Sequence, residues 1–225
     1  MGKRFRRLRN IFHAVSASSL MLVGGCATPG GLQGRPLTPG EKDMARGVFG
    51  DTIDYDKIKI YNGPPTVAGI FQLKQNKLSA ITPNGDIYLV GEDCKQPDLS
   101  QASEANRKLL IHEMTHVWQH QQGRNVEREA IFLFIKSGFN YDSCYAYDIN
   151  GKEKFVQLNL EQQAHMVEDY FALRDTPLQP WENAAERQEK IAKFEAMLKP
   201  CLPIANTSTN TTAAPPPKAK PAEPK

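Results

Sequence analysis

Leu109-Leu110-Ile111-His112-Glu113-Met114-Thr115-His116-Val117-Trp118-Gln119-His120 is the stretch that decides how the rest of the chain is read. At about 100° per residue, Leu109, His112, Glu113, His116 and His120 fall in one arc. Leu110, Ile111, Met114, Val117 and Trp118 fall in a second arc on the other side. The pattern predicts a helix with one face in a core and the other lining a cleft. His112 and His116 lie one turn apart and can hold one zinc ion through two imidazoles, and Glu113 beside them is placed to take a proton from activated water. Three of the five histidines of the chain lie within this short stretch and on one face. A solvated polar helix face is therefore the weaker reading.

A catalytic zinc needs a third protein ligand and an open position. The metzincin pattern requires Gly at position 119 and His at 122, and both are glutamine here. His120 shares the face but lies about 12 Å along the axis from His112, too far to share one ion. The stretch Asn159-Leu160-Glu161-Gln162-Gln163-Ala164-His165-Met166-Val167-Glu168-Asp169-Tyr170 is a better source. On a helix, Glu161, His165 and Glu168 share one face beside an apolar one of Leu160, Val167 and Phe171. Glu161 and Glu168 are about 10 Å apart along the axis, so at most one binds the ion. Glu161 is favoured, with Glu168, His165 and Asp169 as alternatives.

His112-Glu113-x-x-His116 followed by a glutamate on a later helix resembles the gluzincin branch of the zincin metallopeptidases. The strings I-H-E-M-T-H-V-W-Q and N-L-E-Q-Q-A are similar to small bacterial zincin-like proteins, some associated with Rhs/Vgr secretion elements. The resemblance covers roughly Ile81 to Phe171. It implies a zincin-like fold in which the strand Asp86 to Val90 lines the cleft and pairs with substrate backbone. In thermolysin-like members the ligand motif is N-E-x-x-x-D. Here Leu160 stands between Asn159 and Glu161, and His165 follows four residues after Glu161. That departure leaves Glu168 or Asp169 to supply the carboxylate that orients a zinc histidine.

The N-terminus speaks to location. Lys3, Arg4, Arg6, Arg7 and Arg9 precede a mainly apolar run to Gly25 and then Cys26. A basic region, a short apolar region and small residues before a cleavage point describe a secretory signal. Val23-Gly24-Gly25-Cys26 resembles the bacterial lipobox, with Val23 in place of Leu, and implies lipidation of Cys26. Ala27 after the cysteine resembles lipoproteins sorted to the outer membrane, facing the periplasm. Removing residues 1–25 takes five of 28 basic residues and leaves a net charge of −2, so the formal +3 of the chain is no argument for nucleic-acid binding. Cys94, Cys144 and Cys201 would then sit in an oxidising compartment, where one disulfide and one free thiol are expected, with the pairing open.

The expected organisation is a signal peptide over 1–25, a lipidated cysteine and tether over 26–36, one domain over 37–204, and a disordered Pro/Lys/Ala-rich tail over 205–225. Thr38-Pro39 opens a helix to about Phe49. Strands are expected over Lys57–Tyr61, Thr66–Leu73, Leu78–Ile81 and Asp86–Val90, the last two flanking the hairpin signal Asn84-Gly85. Ser100 or Ser103 caps the metal helix and Gly123 ends it. A strongly apolar helix over Val126–Ser137 is assigned to the core, followed by a Tyr- and Asp-rich loop to Asn150. Two more helices span about Leu158–Leu173 and Trp181–Leu198. The fold class is thus α+β and zincin-like, a small antiparallel sheet packed on the H-E-x-x-H helix with further helices after it.

The chemistry expected is zinc-assisted hydrolysis of a protein or peptide substrate. His112, His116 and Glu161 hold the Zn²⁺, Glu113 is the general base, and His165, Glu168 or Tyr147 act behind the ligands or on the oxyanion, with Tyr145 a further candidate for the latter. The membrane is reached through Cys26. The principal rival is a lipid-anchored binding or assembly module that keeps the fold without turnover. A structural zinc site and hydrolysis of another bond, such as a cell-wall amide, are lesser alternatives. Oligomeric state is not legible, and no phosphate-binding glycine loop is present.

Overall fold

The computed structural model describes residues 33–65, 79–91, 95–137 and 144–204. The signal peptide, Cys26, the strand expected over 66–73, Cys94 and the tail from 205 lie outside them. The described residues form an α+β arrangement of four short strands and five α-helices. In chain order these are β1 (Arg35–Pro36), α1 (Pro39–Phe49), β2 (Lys59–Asn62), β3 (Ala80–Ile81), β4 (Ile87–Leu89), α2 (Glu104–Gln121), α3 (Val126–Lys136), α4 (Leu160–Asp175) and α5 (Ala184–Leu198).

The start of α1 follows its local chemistry. Thr38 Oγ1 accepts from Glu41 N at 3.1 Å and Glu41 Oε2 accepts from Thr38 N at 2.8 Å, a reciprocal capping box with Pro39 in the first turn. Glu41 is fully buried. Its other bonds come from the Arg35 guanidinium, at 2.7 and 2.8 Å, and from Leu99 N at 2.8 Å. A buried carboxylate is tolerated because every donor it needs is supplied. One side chain thereby ties β1, α1 and the segment leading into α2.

The strand order is β1-β2-β4-β3, and the sheet is mixed rather than antiparallel. β3 and β4 form the expected hairpin, Ala80 opposite Leu89 and Ile81 opposite Tyr88. β2 and β4 run parallel, Ile60 opposite Ile87. The antiparallel expectation assumed that successive strands fold back on each other. The connection over residues 63–86 is long enough for the crossover that parallel neighbours need. Because β4 has partners on both sides, its backbone groups are committed to the sheet, and it is not an edge that could receive a substrate strand.

Helix α2 begins at Ser103, whose Oγ accepts from Asn106 N. It ends where Gly123 adopts φ 86° and lets Gly123 N and Arg124 N bond back to His120 O and Gln119 O. Its polar face does not line an open cleft: His112, Glu113 and His116 are as buried as Leu110 and Met114. Helix α4 lies across that face and closes it. On the core side of the sheet and helices, Phe49, Ile60, Ile87, Leu89, Ile111, Val167, Tyr170 and Phe194 form one apolar cluster.

Two helices differ from expectation. The apolar composition of α3 predicts a core helix, yet Phe132 is 67% and Ile135 54% exposed. The helix carries apolar residues on two sides. The side with Val126 and Leu133 packs inward, which turns Phe132 and Ile135 outward. α5 starts at Ala184 rather than Trp181, because Asn183 is the residue that caps it, accepting from Ala185 N at 2.9 Å. Trp181 precedes the cap and is 78% exposed.

Candidate metal centre

The centre is built from two helix segments. α2 presents His112 and His116 one turn apart, their rings edge-to-face at 5.0 Å. α4 brings Glu161, in its first turn, against both. Glu161 Oε2 lies 3.3 Å from His112 Nε2 and 3.5 Å from His116 Nε2. The placement of Glu161 follows from the cap beneath it. Asn159 Oδ1 accepts from Glu161 N and Gln162 N, both at 2.9 Å, while Gln162 Oε1 accepts from Asn159 N at 3.0 Å. Asn159 Nδ2 donates to Cys144 O at 3.1 Å, which pins the preceding loop to the helix start. A carboxylate in the first turn also sits at the positive end of the helix dipole.

His112, His116 and Glu161 are all buried, and one ligand atom from each lies within 4.8 Å of the others. Two imidazoles and a carboxylate are a metal-binding donor set, and these three residues could hold a metal ion. The far ring nitrogens are already engaged. His112 Nδ1 lies 3.1 Å from Glu168 Oε2, and Lys108 Nζ lies 3.4 Å from the other oxygen of that carboxylate. His116 Nδ1 lies 2.9 Å from Gln119 Oε1. In each ring, therefore, Nε2 is the atom that faces Glu161.

Glu113 points beside this group, and its carboxylate Oε2 accepts from the hydroxyl of Thr82 at 2.7 Å. Thr82 immediately follows β3, so the hairpin positions the carboxylate. Burial pushes the Glu113 carboxyl above its ordinary value, with His116, His112 and Thr82 pulling the other way. Burial acts on Glu161 in the same sense, but the two histidines outweigh it and hold its carboxyl well below the usual range. His112 is destabilised as a cation by burial. Its bonds to Glu161 and Glu168 overcome that and raise its pKa to about 10.

His112, Glu113, His116 and Glu161 converge, and Glu168 stands behind His112 as an orienting carboxylate. Asp169 does not reach the centre; it accepts from the Tyr147 hydroxyl at 2.6 Å. His165 lies on that same side, its Nδ1 3.1 Å from Tyr145 O and its ring edge-to-face with Tyr147 at 5.7 Å. His165 and Tyr147 therefore pack with each other rather than on the ligands. The Tyr145 ring is nearer, 6.2 Å from that of His112. His120 is exposed and lies over Gly85, where any Cβ would meet its ring at 2.6 Å. Trp118 packs against Phe155. Cys201 carries a free thiol, so a Cys144–Cys201 bridge is not formed.

Three contributors were not singled out from the sequence. Gln119 follows His116 by three residues, the helical spacing of neighbours, and was legible on that ground. Gln163, whose Oε1 accepts from Gln119 Nε2 at 2.9 Å, and Thr82 are placed by long-range packing and carry no local signal.

No protein-family model matches the chain. A solved structure, the effector domain of Pseudomonas aeruginosa VgrG2b, matches with a TM-score of 0.58 and 30% identity, covering 77% of this chain and 86% of that one. The chain belongs to the family of the VgrG2b effector domain. The type VI secretion system spike protein VgrG2b of the same organism is 37% identical over 150 residues, which is 67% of this chain and 14% of that protein. The chain therefore corresponds to a small part of the spike protein. The link to Vgr-associated proteins expected from the two motif strings holds.

Proposed function

We propose that the chain is a zinc-dependent hydrolase of peptide bonds, held at the cell envelope by a lipid on Cys26. The observation that carries the reading is Glu113. Holding a metal needs no carboxylate beside the first histidine, yet Glu113 is buried there and fixed by Thr82 with its ionisation shifted upward by burial. His112, His116 and Glu161 would hold the ion. When bound, zinc supplies Lewis acidity that makes water a competent nucleophile near neutral pH and polarises the scissile carbonyl. Glu113 takes the proton of the attacking water and returns it to the leaving amine. Glu168 keeps the His112 ring oriented, and Gln119 does the same for His116. A zincin-type arrangement of the H-E-x-x-H helix and the later glutamate is part of this proposal.

Membership in the VgrG2b effector-domain family supports an effector-type role. The protein or peptide target follows from the proposed chemistry at Glu113. The lipobox-like Val23 to Cys26 points to lipidation, and Ala27 after it to display at the outer membrane facing the periplasm. Among the described residues no helix is long and apolar enough to cross a membrane.

The test is zinc per chain by elemental analysis, joined to a peptide-library cleavage screen, for the parent and the Glu161→Ala and Glu113→Gln variants. One zinc in the parent, loss in Glu161→Ala, and cleavage abolished in Glu113→Gln with zinc retained are expected. Full activity in Glu113→Gln would end the hydrolase reading and leave a non-catalytic module.

A further inference from the structure

Behind His116 the side chains form a continuous polar relay whose direction is fixed at its ends. Arg124 can only donate, and the carbonyls of Leu160 and Phe155 can only accept. Arg124 Nη1 donates to Gln163 Oε1 at 2.7 Å, and Gln163 Nε2 donates to Phe155 O at 2.9 Å. Gln163 Oε1 also accepts from Gln119 Nε2 at 2.9 Å, and that same amide nitrogen donates to Leu160 O at 3.0 Å. Gln119 is left with its oxygen toward His116 Nδ1, 2.9 Å away. Turning over either amide would set donor against donor at Arg124 or oxygen against oxygen at a carbonyl. Both glutamines are buried, at 0% and 4% exposure, so water does not readily replace a lost partner. Arg124 sits at the outer end, 29% exposed and braced by the carboxylate of Glu129 on α3.

An amide oxygen can only accept, so the ring nitrogen facing it must carry the hydrogen. We propose that Gln119 is a positioning residue, locked in orientation by Gln163 and Arg124, that keeps a hydrogen on His116 Nδ1 and so holds the ring with Nε2 toward Glu161. The two histidines are therefore oriented by different means. His112 uses a carboxylate directly. His116 uses a neutral amide polarised by a remote guanidinium, which adds no second negative charge beside Glu161. The arrangement also gives Arg124, outside the ligand shell and in the turn after Gly123, control over a ligand atom on α2.

The Nδ1 hydrogen of His116 is followed by its ring ¹H–¹⁵N signal in the full chain, and zinc affinity by competition with a chromophoric chelator. The parent should show a slowly exchanging Nδ1–H. Gln119→Leu should lose that protection and weaken zinc binding by roughly 10–100-fold, the range for partners behind a metal ligand. Arg124→Ala should move both readouts the same way by less, and Arg124→Lys, which keeps a donor, should restore them. Should Gln119→Leu fail to fold by circular dichroism, Arg124→Ala at the exposed end decides. A slowly exchanging Nδ1–H with parental affinity in Arg124→Ala, or in a folded Gln119→Leu, overturns the relay. Its zinc arm rests on the hydrolase reading. A parent that takes up no zinc would sink that reading, while the Nδ1–H measurement still decides the relay.

Discussion

Glu168 Oε2 lies 3.1 Å from His112 Nδ1, on the side of the ring opposite Glu161. Seven residues apart on α4, the two carboxylates approach the same imidazole from its two nitrogens. Their separation, about two helical turns, excludes a shared ion but suits a ring held between them. Glu168→Ala should weaken zinc binding by roughly 10–100-fold while leaving the stoichiometry at saturation unchanged. Glu161→Ala should reduce the stoichiometry itself. Chelator competition and elemental analysis separate the two, and identical behaviour of the variants would refute the division of roles.

Removing the base should spare the metal. Glu113→Gln is expected to keep bound zinc and to lower turnover by about 10²–10⁴-fold, the usual contribution of a positioned general base. Single-turnover cleavage of a peptide identified in the library screen measures this.

Thr82 tunes the same carboxylate from the hairpin. Its hydroxyl bond favours the ionised form, so it lowers the Glu113 pKa against the larger effect of burial. Thr82→Val removes that bond and should raise the carboxyl further. A base must be ionised to act, so activity would be lost on the acid side starting at a higher pH. The acid limb of the pH–rate profile should therefore move upward, and an unmoved limb would assign Thr82 to packing alone.

The Asn159 cap links stability to the site. Asn159→Ala leaves Glu161 N and Gln162 N without their acceptor and should destabilise the fold by about 1 kcal/mol. That corresponds to a fall in Tm of roughly 2–4 °C for a chain of this size. Because Glu161 stands in the capped turn, zinc affinity should fall as well. Loss of Tm without loss of affinity would show that the cap does not position the ligand.

Exposure separates two helical phenylalanines. Phe194, 1% exposed and in contact with Tyr170 and Tyr147, should cost about 3–5 kcal/mol when replaced by Ala. Phe132, 67% exposed, should change stability by within about 0.5 kcal/mol when replaced by Ser. Urea unfolding of the two variants tests the reassignment of α3 to the surface.

The sequence by itself determined what depends on near neighbours. The pair His112 and His116, with Glu113 between them, follows from helical periodicity, and the starts of α1 and α2 from Thr38 and Ser103. Glu161 was reachable because it shares a helical face with Glu168 beside an apolar stripe, and the β3–β4 hairpin because Asn84-Gly85 favours the turn. Tertiary structure decided everything that joins distant segments. β2 runs parallel to β4 across a connection of residues 63–86, α4 buries the polar face of α2, and Thr82 reaches Glu113 from thirty-one residues away. The same holds for α3. Its sequence is apolar enough for a core, but a helix with apolar residues on two sides can turn only one inward, and the packing of its neighbours selects which. Local spacing fixes which groups one element can present together; which element meets them is fixed by long-range burial, which no short stretch of sequence encodes.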